Sequence, residues 1–569
     1  MRLPTRVVLA VLLVPASLLA QAPPTPTLPL THAPAPTSAD ITPADLMSRL
    51  YIFADDSMMG RRGGTVYNLK ATDYIANEAR RMGLEPAGDS GTYFQTVPLV
   101  RTTTDTASTL EVAGATLKAY QDFAPLVLRG VPRSLDGAPV VYGGPIDGTE
   151  TLPADVVRGA LVVMGPARNP GPSARLSLRS LLPRFGTAAG LAFPGLERVP
   201  AQARANERAP RLSMGGPAPA ESSLALLQVT TAAAERLLGA PLDSAKVGAT
   251  GRTVRARMIY QTEPAPARNV VAIVRGRDQK LRGEYVAIGA HNDHIGFTSN
   301  PVDHDSLRIW NHLVRPEGAD DGGKQATPAQ QAQADSLLAV WRAAHPGTSR
   351  QDSIDNGADD DGSGTVSVLE IAQHIASLRT KPDRSILFVW HTGEELGLLG
   401  SRWFTDHPTV PRDSIVAQLN IDMIGRGDAD DEVGRTKDGT PIHGGPDYLQ
   451  LVGSRRLSTE LGDLVETVNR EDHHGLVFDY SIDANGHPAN IYCRSDHYSY
   501  ARFGIPVVFF TTGIHSDYHQ VTDEPEYIDY AHMARVASLI EDIALHVADL
   551  DHRVVVDHPR PDPNAACRQ

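Results

Sequence analysis

From residue 268 onward, five apolar runs set the fold: "NVVAIVRG", "EYVAIGAH", "SILFVWHTG", "SIVAQLNIDM" and "GIPVVFFTT". Each is of strand length and apolar at nearly every position. A strand that alternated would have one wet face; these have none, so they read as strands buried on both faces of a largely parallel sheet. The covering layers are helices. In "TVSVLEIAQHIASL", Val368, Ile371, Ile375 and Leu378 recur at helical spacing, as do Met533, Val536, Ile540, Ile543 and Val547 near the end. The expected fold class is therefore α/β: a mixed, largely parallel sheet with helices on both faces.

In open α/β sheets, ligands bind beyond the carboxyl ends of the strands. The residues just beyond each apolar run are therefore the informative ones. After "YVAIGA" come His291, Asp293 and His294; after "ILFVW", Glu394 and Glu395; after "VAQLNI", Asp422; after "PVVFFTTG", His515 and His519. Before the helix "TVSVLEIA" stands "NGADDDGSG", with Asp359, Asp360 and Asp361. Each group has an ordinary explanation alone: a loop histidine, a turn aspartate, or carboxylates capping a helix N-terminus. Converging on one rim, they would leave buried like charges facing one another, which a cation resolves. Histidine and carboxylate ligands without cysteine suit zinc or a similar transition metal. Adjacent carboxylates at a strand end can then divide the work, one holding metal and the other serving as general base to a water.

These residues resemble the di-zinc aminopeptidases of the bacterial leucine aminopeptidase and aminopeptidase S type, a family related to glutamate carboxypeptidase and glutaminyl cyclase. The motifs "GAHNDHIG", "NGADDDGSG", "HTGEELGLLGS", "LNIDMIGR", "SDHYSYARFGIP" and "DYHQVTDE" cover roughly residues 286 to 524 in the family's order. The resemblance implies a zinc exopeptidase fold and two Zn2+ ions. Asp360 would bridge them, His291 and Asp422 completing one position and Glu395 and His519 the other. Glu394 would be the general base, Tyr518 an oxyanion donor, and Asp293 a carboxylate orienting the ring of His291. The implied substrates are peptides with a free N-terminus, cleaved by water activated between two zinc ions. A di-zinc carboxypeptidase, a glutaminyl cyclase and a non-catalytic binding protein remain alternative readings. "EGADDGG" at 317–323 imitates the aspartate motif, but no helical pattern comes directly after it. His294, His304, His473, His474, His497 and His515 are left as spare histidines, Asp496 and His497 being expected to act behind the ligands.

The remaining chain divides by texture. Residues 1–22 carry two arginines and an apolar run ending in small residues, which reads as a secretory signal peptide; a retained membrane anchor is the other reading. No other stretch is long enough to span a bilayer. The expected location is periplasmic or secreted. Residues 23–41 form a Pro-rich linker. The catalytic domain is expected to be discontinuous, 42–107 and 263–555, with a tail at 556–569. Between its parts, residues 108–262 alternate short apolar runs with Pro/Gly turns, a β-rich insertion whose position and texture resemble a protease-associated domain. The polar segment 297–355 reads as a lid or surface excursion. Cys493 and Cys567 could pair, but sequence does not decide it. With 53 basic and 67 acidic residues and a net charge of −14, no nucleic-acid surface is expected. Oligomeric state is not legible.

Overall fold

The computed structural model describes residues 28–126, 132–168, 178–199, 210–216, 224–347 and 349–569. The signal-peptide reading and the first residues of the linker lie outside these. Among the described residues no helix is long and apolar enough to cross a membrane.

The main sheet is built from β1 (Glu85–Pro86), β2 (Phe94–Thr96), β3 (Arg268–Val274), β4 (Tyr285–His291), β5 (Ser385–His391), β6 (Ile415–Ile421), β7 (Tyr448–Val452), β8 (Val477–Asp479) and β9 (Val507–Thr511). Its order is β1-β3-β5-β4-β6-β9-β7-β8, with β2 also paired to β3. The central strands β5, β4, β6 and β9 run parallel, flanked by antiparallel β3 and β7. His291 is in register with His391, so the ends of β4 and β5 open at the same level.

Eight helices matter here: α1 (Pro43–Phe53), α2 (Val66–Arg81), α3 (His304–Val314), α4 (Pro328–Ala344), α5 (Gly364–Ser377), α6 (Leu399–Asp406), α7 (Thr459–Glu471) and α8 (Tyr530–Ala548). Thr42 caps α1, accepting the N–H of Asp45, with Pro43 in the first turn where its missing N–H costs nothing. Strand alternation sorts the core into two layers. Val270, Ala272, Ile288, Phe388 and Trp390 pack under α1, α5 and α8. Val271, Ile273, Ala287, Leu387 and Val389 face the other way, toward Phe404 of α6 and Tyr500. A run apolar at every position thus serves both faces, which is why these strands show no alternation.

Eight strands lying between Thr109 and Arg257 form a second sheet. Four of them (Pro139–Pro145, Leu161–Gly165, Gly190–Pro194 and Ala225–Val229) run parallel. This sheet has its own two cores, one with Val140, Val163 and Leu237, the other with Val141, Val162 and Phe185. The chain enters and leaves it along Leu99–Thr104 and Tyr260–Ala265, antiparallel partners whose register runs from Leu99↔Ala265 to Thr104↔Tyr260. Arg211–Met214, from within the insertion, adds a third strand to this pair.

The excursion after β4 is ordered. Gly296–Asp303 and Gln351–Asp355 pair antiparallel, and α3 and α4 lie between them. Thr327 and Gln330 make a capping box at the start of α4. Arg350 binds Glu524 and Glu526, and His304 lies 3.1 Å from the Tyr527 hydroxyl, so the excursion is tied to the loop after β9. Cys493 and Cys567 are joined in a disulfide that fastens the C-terminal tail to the body.

One buried cation anchors the turn that precedes α5. Arg61 is fully buried and donates to the carbonyls of Phe53, Asn356 and Gly357. Removing it would strand three buried carbonyl oxygens at once, each costing about 1–3 kcal/mol. Arg61→Met should lower unfolding free energy by about 3 kcal/mol or more, read from the urea midpoint of the whole protein. A loss under about 1 kcal/mol would show that these carbonyls find other partners.

Candidate metal centre

The ligand-type residues meet at one end of the sheet. His291 is the last residue of β4, Asp422 comes directly after β6, and Glu394 and Glu395 sit in the turn after β5. Tyr518 and His519 come from the loop beyond β9, and Asp360 from the turn before α5. Two sets of ligand atoms converge there: His291, Asp360 and Asp422; and His294, Asp360, Glu395 and His519. Asp360 belongs to both. Its Oδ1 lies 3.1 Å from His291 Nε2 and its Oδ2 lies 3.0 Å from His519 Nε2. Asp422 Oδ1 is 3.6 Å from His291 Nε2, and Glu395 Oε2 is 3.0 Å from His519 Nε2. Ligand atoms around a tetrahedral zinc stand about 3.3 Å apart, given bonds of about 2.0–2.2 Å. Both sets fit a divalent ion of that size.

Electrostatics argues the same way. Burial, the Glu395 and Asp422 carboxylates, and only a partial counter-pull from His291 hold the Glu394 carboxyl well above its ordinary range. For His519, burial disfavours the charged ring, yet hydrogen bonds to Asp360 and Glu395 push it up to about 11. A buried rim this rich in carboxylates calls for more positive charge than its histidines supply.

The three aspartates of "ADDDG" have separate tasks. Asp359 accepts the N–H of Gly425 through Oδ1 and lies 3.2 Å from His515 Nε2 through Oδ2. Asp360 faces the two imidazoles. Asp361 accepts the N–H groups of His291, Gly364 and Met423. Asp361 thus bonds to the first turn of α5, while Asp360 stands among the candidate ligands. Asp523 accepts the N–H groups of Asp359 and Asp360 and so holds this turn from the far side.

Asp293 makes a different contact from the one expected of it. His291 Nδ1 is 3.0 Å from the Asp293 carbonyl oxygen, while the nearer carboxylate oxygen is 4.0 Å away. That carboxylate accepts the backbone N–H of Glu394 at 3.1 Å, and burial raises it to about 7. Its position thus bears on the Glu394 turn as well as on the ring. Among the spare histidines, His515 braces Asp359, and His304 binds Asp352 and Tyr527. His497 stacks on Phe509, and burial lowers it to about 3. Asp496 Oδ2 lies 3.4 Å from His391 Nδ1.

Several site residues carry no signal in the sequence. Ser495 donates to Asp422 Oδ2 at 2.7 Å, which leaves Oδ1 to face His291. Arg426 donates to Asp517 at 2.9 Å, beneath the turn that carries Tyr518 and His519. A cavity of about 280 Å³ opens over Asp360, Glu394 and Asp422, with Val433, Ile482, Phe509 and Ile514 in its wall. Glu317 and Asp320, from the imitation motif, also line it. They pair with Arg435 at 3.5 Å and Arg494 at 2.6 Å, and Arg494 donates to the Tyr518 hydroxyl at 3.3 Å. The tyrosine ring stacks on His519, the centroids 4.0 Å apart.

Parts of the chain are similar to known proteins. The curated "Leucine aminopeptidase 1" of Pyrenophora teres f. teres is 31% identical over 206 residues, 34% of this chain and 46% of that protein. "Leupeptin-inactivating enzyme 1" of Streptomyces exfoliatus is 36% identical over 98 residues, 16% of this chain and 22% of that protein. The match therefore spans less than half of either relative. Among solved structures, a zinc aminopeptidase from Bacillus subtilis aligns over 90% of this chain and 97% of its own, at 15% identity and a TM-score of 0.46. An aminopeptidase from Aneurinibacillus sp. strain AM-1 aligns over 91% and 97%, at 16% identity and a TM-score of 0.45. The profile of peptidase family M28 matches residues 269–544, the stretch that supplies every candidate ligand described above. Over that segment, the chain is similar to peptidase family M28.

Proposed function

We propose that the chain is a zinc-dependent aminopeptidase, exported to the periplasm or the medium, that removes N-terminal residues from peptides with a free α-amine. The observation that carries this reading is Asp360, whose two oxygens each face a different imidazole across two ligand sets. Relatives named leucine aminopeptidase align across part of the chain and support it. His291, Asp360 and Asp422 would hold one Zn2+ ion; Asp360, Glu395 and His519 would hold the other. Bound there, the pair would supply Lewis-acid polarisation of the scissile carbonyl and a water of lowered pKa.

The chain's own residues do the rest. Glu394 borders the cavity beside both ligand sets and is not needed in either. Its carboxylate takes the proton of the attacking water and passes it to the leaving amine. Burial, together with crowding by neighbouring carboxylates, raises its proton affinity, the direction a general base needs. Tyr518 donates its hydroxyl to the carbonyl oxygen as charge develops there, and Arg494 beside it strengthens that donation. The apolar wall favours an apolar first residue. Arg435 and Arg494 are already paired with wall carboxylates, so they offer little to a substrate carboxylate, unlike a carboxypeptidase pocket. We read the insertion at 108–262 as a protease-associated-like module that presents substrate ends or partners.

Two outcomes check this. A Leu-peptide with a free amine should release leucine, its N-acetylated twin should not, and a chelator should abolish release. Release from the acetylated peptide, or none from either, would contradict the aminopeptidase reading. Glu394→Gln should lower kcat by about 10²–10⁴-fold while the bound zinc, measured by elemental analysis, is unchanged. A near-normal kcat would remove Glu394 from the base role.

A further inference from the structure

The position formed by Asp360, Glu395 and His519 has one more imidazole beside it than the resemblance assigns. His294 is fully buried, and neither ring nitrogen makes a hydrogen bond among the described residues. Its Nδ1 lies 2.8 Å from Glu395 Oε1 and 3.8 Å from Asp360 Oδ2. Glu395 Oε1 has no hydrogen-bond partner among the described residues either. The two atoms are close, yet their geometry falls outside that of a hydrogen bond. A buried nitrogen and a buried oxygen left side by side without a hydrogen bond would be costly. The cost disappears if both direct lone pairs at a common cation.

The backbone makes room for this ring. Gly357 has φ +54°, and a Cβ there would stand 2.5 Å from His294 Cγ and 2.2 Å from the Asp360 carbonyl oxygen. The glycine of "NGADDDG" therefore lets His294 and the Asp360 turn approach together. Ligand-type atoms of His294, Asp360, Glu395 and His519 all lie within 4.8 Å of one another. The other position differs: there His291 Nδ1 is engaged by the Asp293 carbonyl, so its Nε2 faces Asp360 and Asp422 as the lone-pair nitrogen.

We propose that His294 is a metal ligand through Nδ1, the fourth protein group around the ion held by Asp360, Glu395 and His519. This rests on the two-ion reading above. The two positions are then chemically unequal. One offers a single imidazole with two carboxylates; the other offers two imidazoles with two carboxylates. Imidazole favours zinc over manganese or magnesium, so the second position fills first and selects zinc more strongly.

The test is X-ray absorption at the zinc edge on the full chain, stripped by chelator and reloaded, with bound zinc counted independently. Imidazole scattering should correspond to three histidines per two ions in the wild type and two in His294→Gln. The variant should also bind its tighter ion about a hundredfold more weakly or worse, because even supporting groups behind a ligand are worth about 10–100-fold. Two histidines per two ions in the wild type would overturn the proposal and leave His294 as a neighbour steadying Glu395. That spectrum decides even if the variant fails to fold. Uptake of only one ion by the wild type would instead refute the two-ion reading and take this assignment with it, a failure distinguished by the zinc count.

Discussion

Everything at this site depends on one buried carboxylate shared between two groups of candidate ligands. Asp360 has nearly no solvent exposure and turns one oxygen to His291 and the other to His519. With Glu394, Glu395 and Asp422 around it, the rim would be strongly repulsive if nothing cationic were present. The surrounding fold restrains that repulsion rather than relieving it. Asp361 ties the turn to His291, Met423 and the first turn of α5; Asp523 holds it from behind; and Arg61 grips the residues leading in. The scaffold thus fixes the candidate ligands near one another through hydrogen bonds that run behind them, the kind of support a precise site needs.

Much of this was legible in the sequence because the physics is local and periodic. Strands buried on both faces must be apolar throughout, so β3, β4, β5, β6 and β9 stood out as unbroken runs. Their carboxyl ends then named His291, Glu394, Glu395, Asp422 and His519, all of which gather in one place. Thr42 and Pro43 were readable as a helix start for the same reason: capping acts over three residues. The division of labour within "ADDDG" was not readable. It is set by which loop each carboxylate meets, and those loops lie some 60 to 160 residues away in sequence.

Long-range partners explain the other gaps. Ser495 orients Asp422 from 73 residues away, and no spacing rule marks a serine for that task. The excursion after β4 was legible only as polar. In the structure its turn at Gly318–Asp321 forms part of the cavity wall, with Asp320 clamping Arg494 against Tyr518. "EGADDGG", set aside in favour of "NGADDDGSG", also borders this cavity through Glu317 and Asp320. The pairing of Cys493 with Cys567 likewise required the fold, since two cysteines 74 residues apart carry no geometric information by themselves.

The central requirement is that two ions flank one aspartate. Anomalous diffraction at the zinc edge, on crystals of the zinc-loaded protein, tests this most directly. The expected result is two peaks about 3.5–4 Å apart on either side of the Asp360 carboxylate. A single peak there, or two peaks that do not share Asp360, would contradict it.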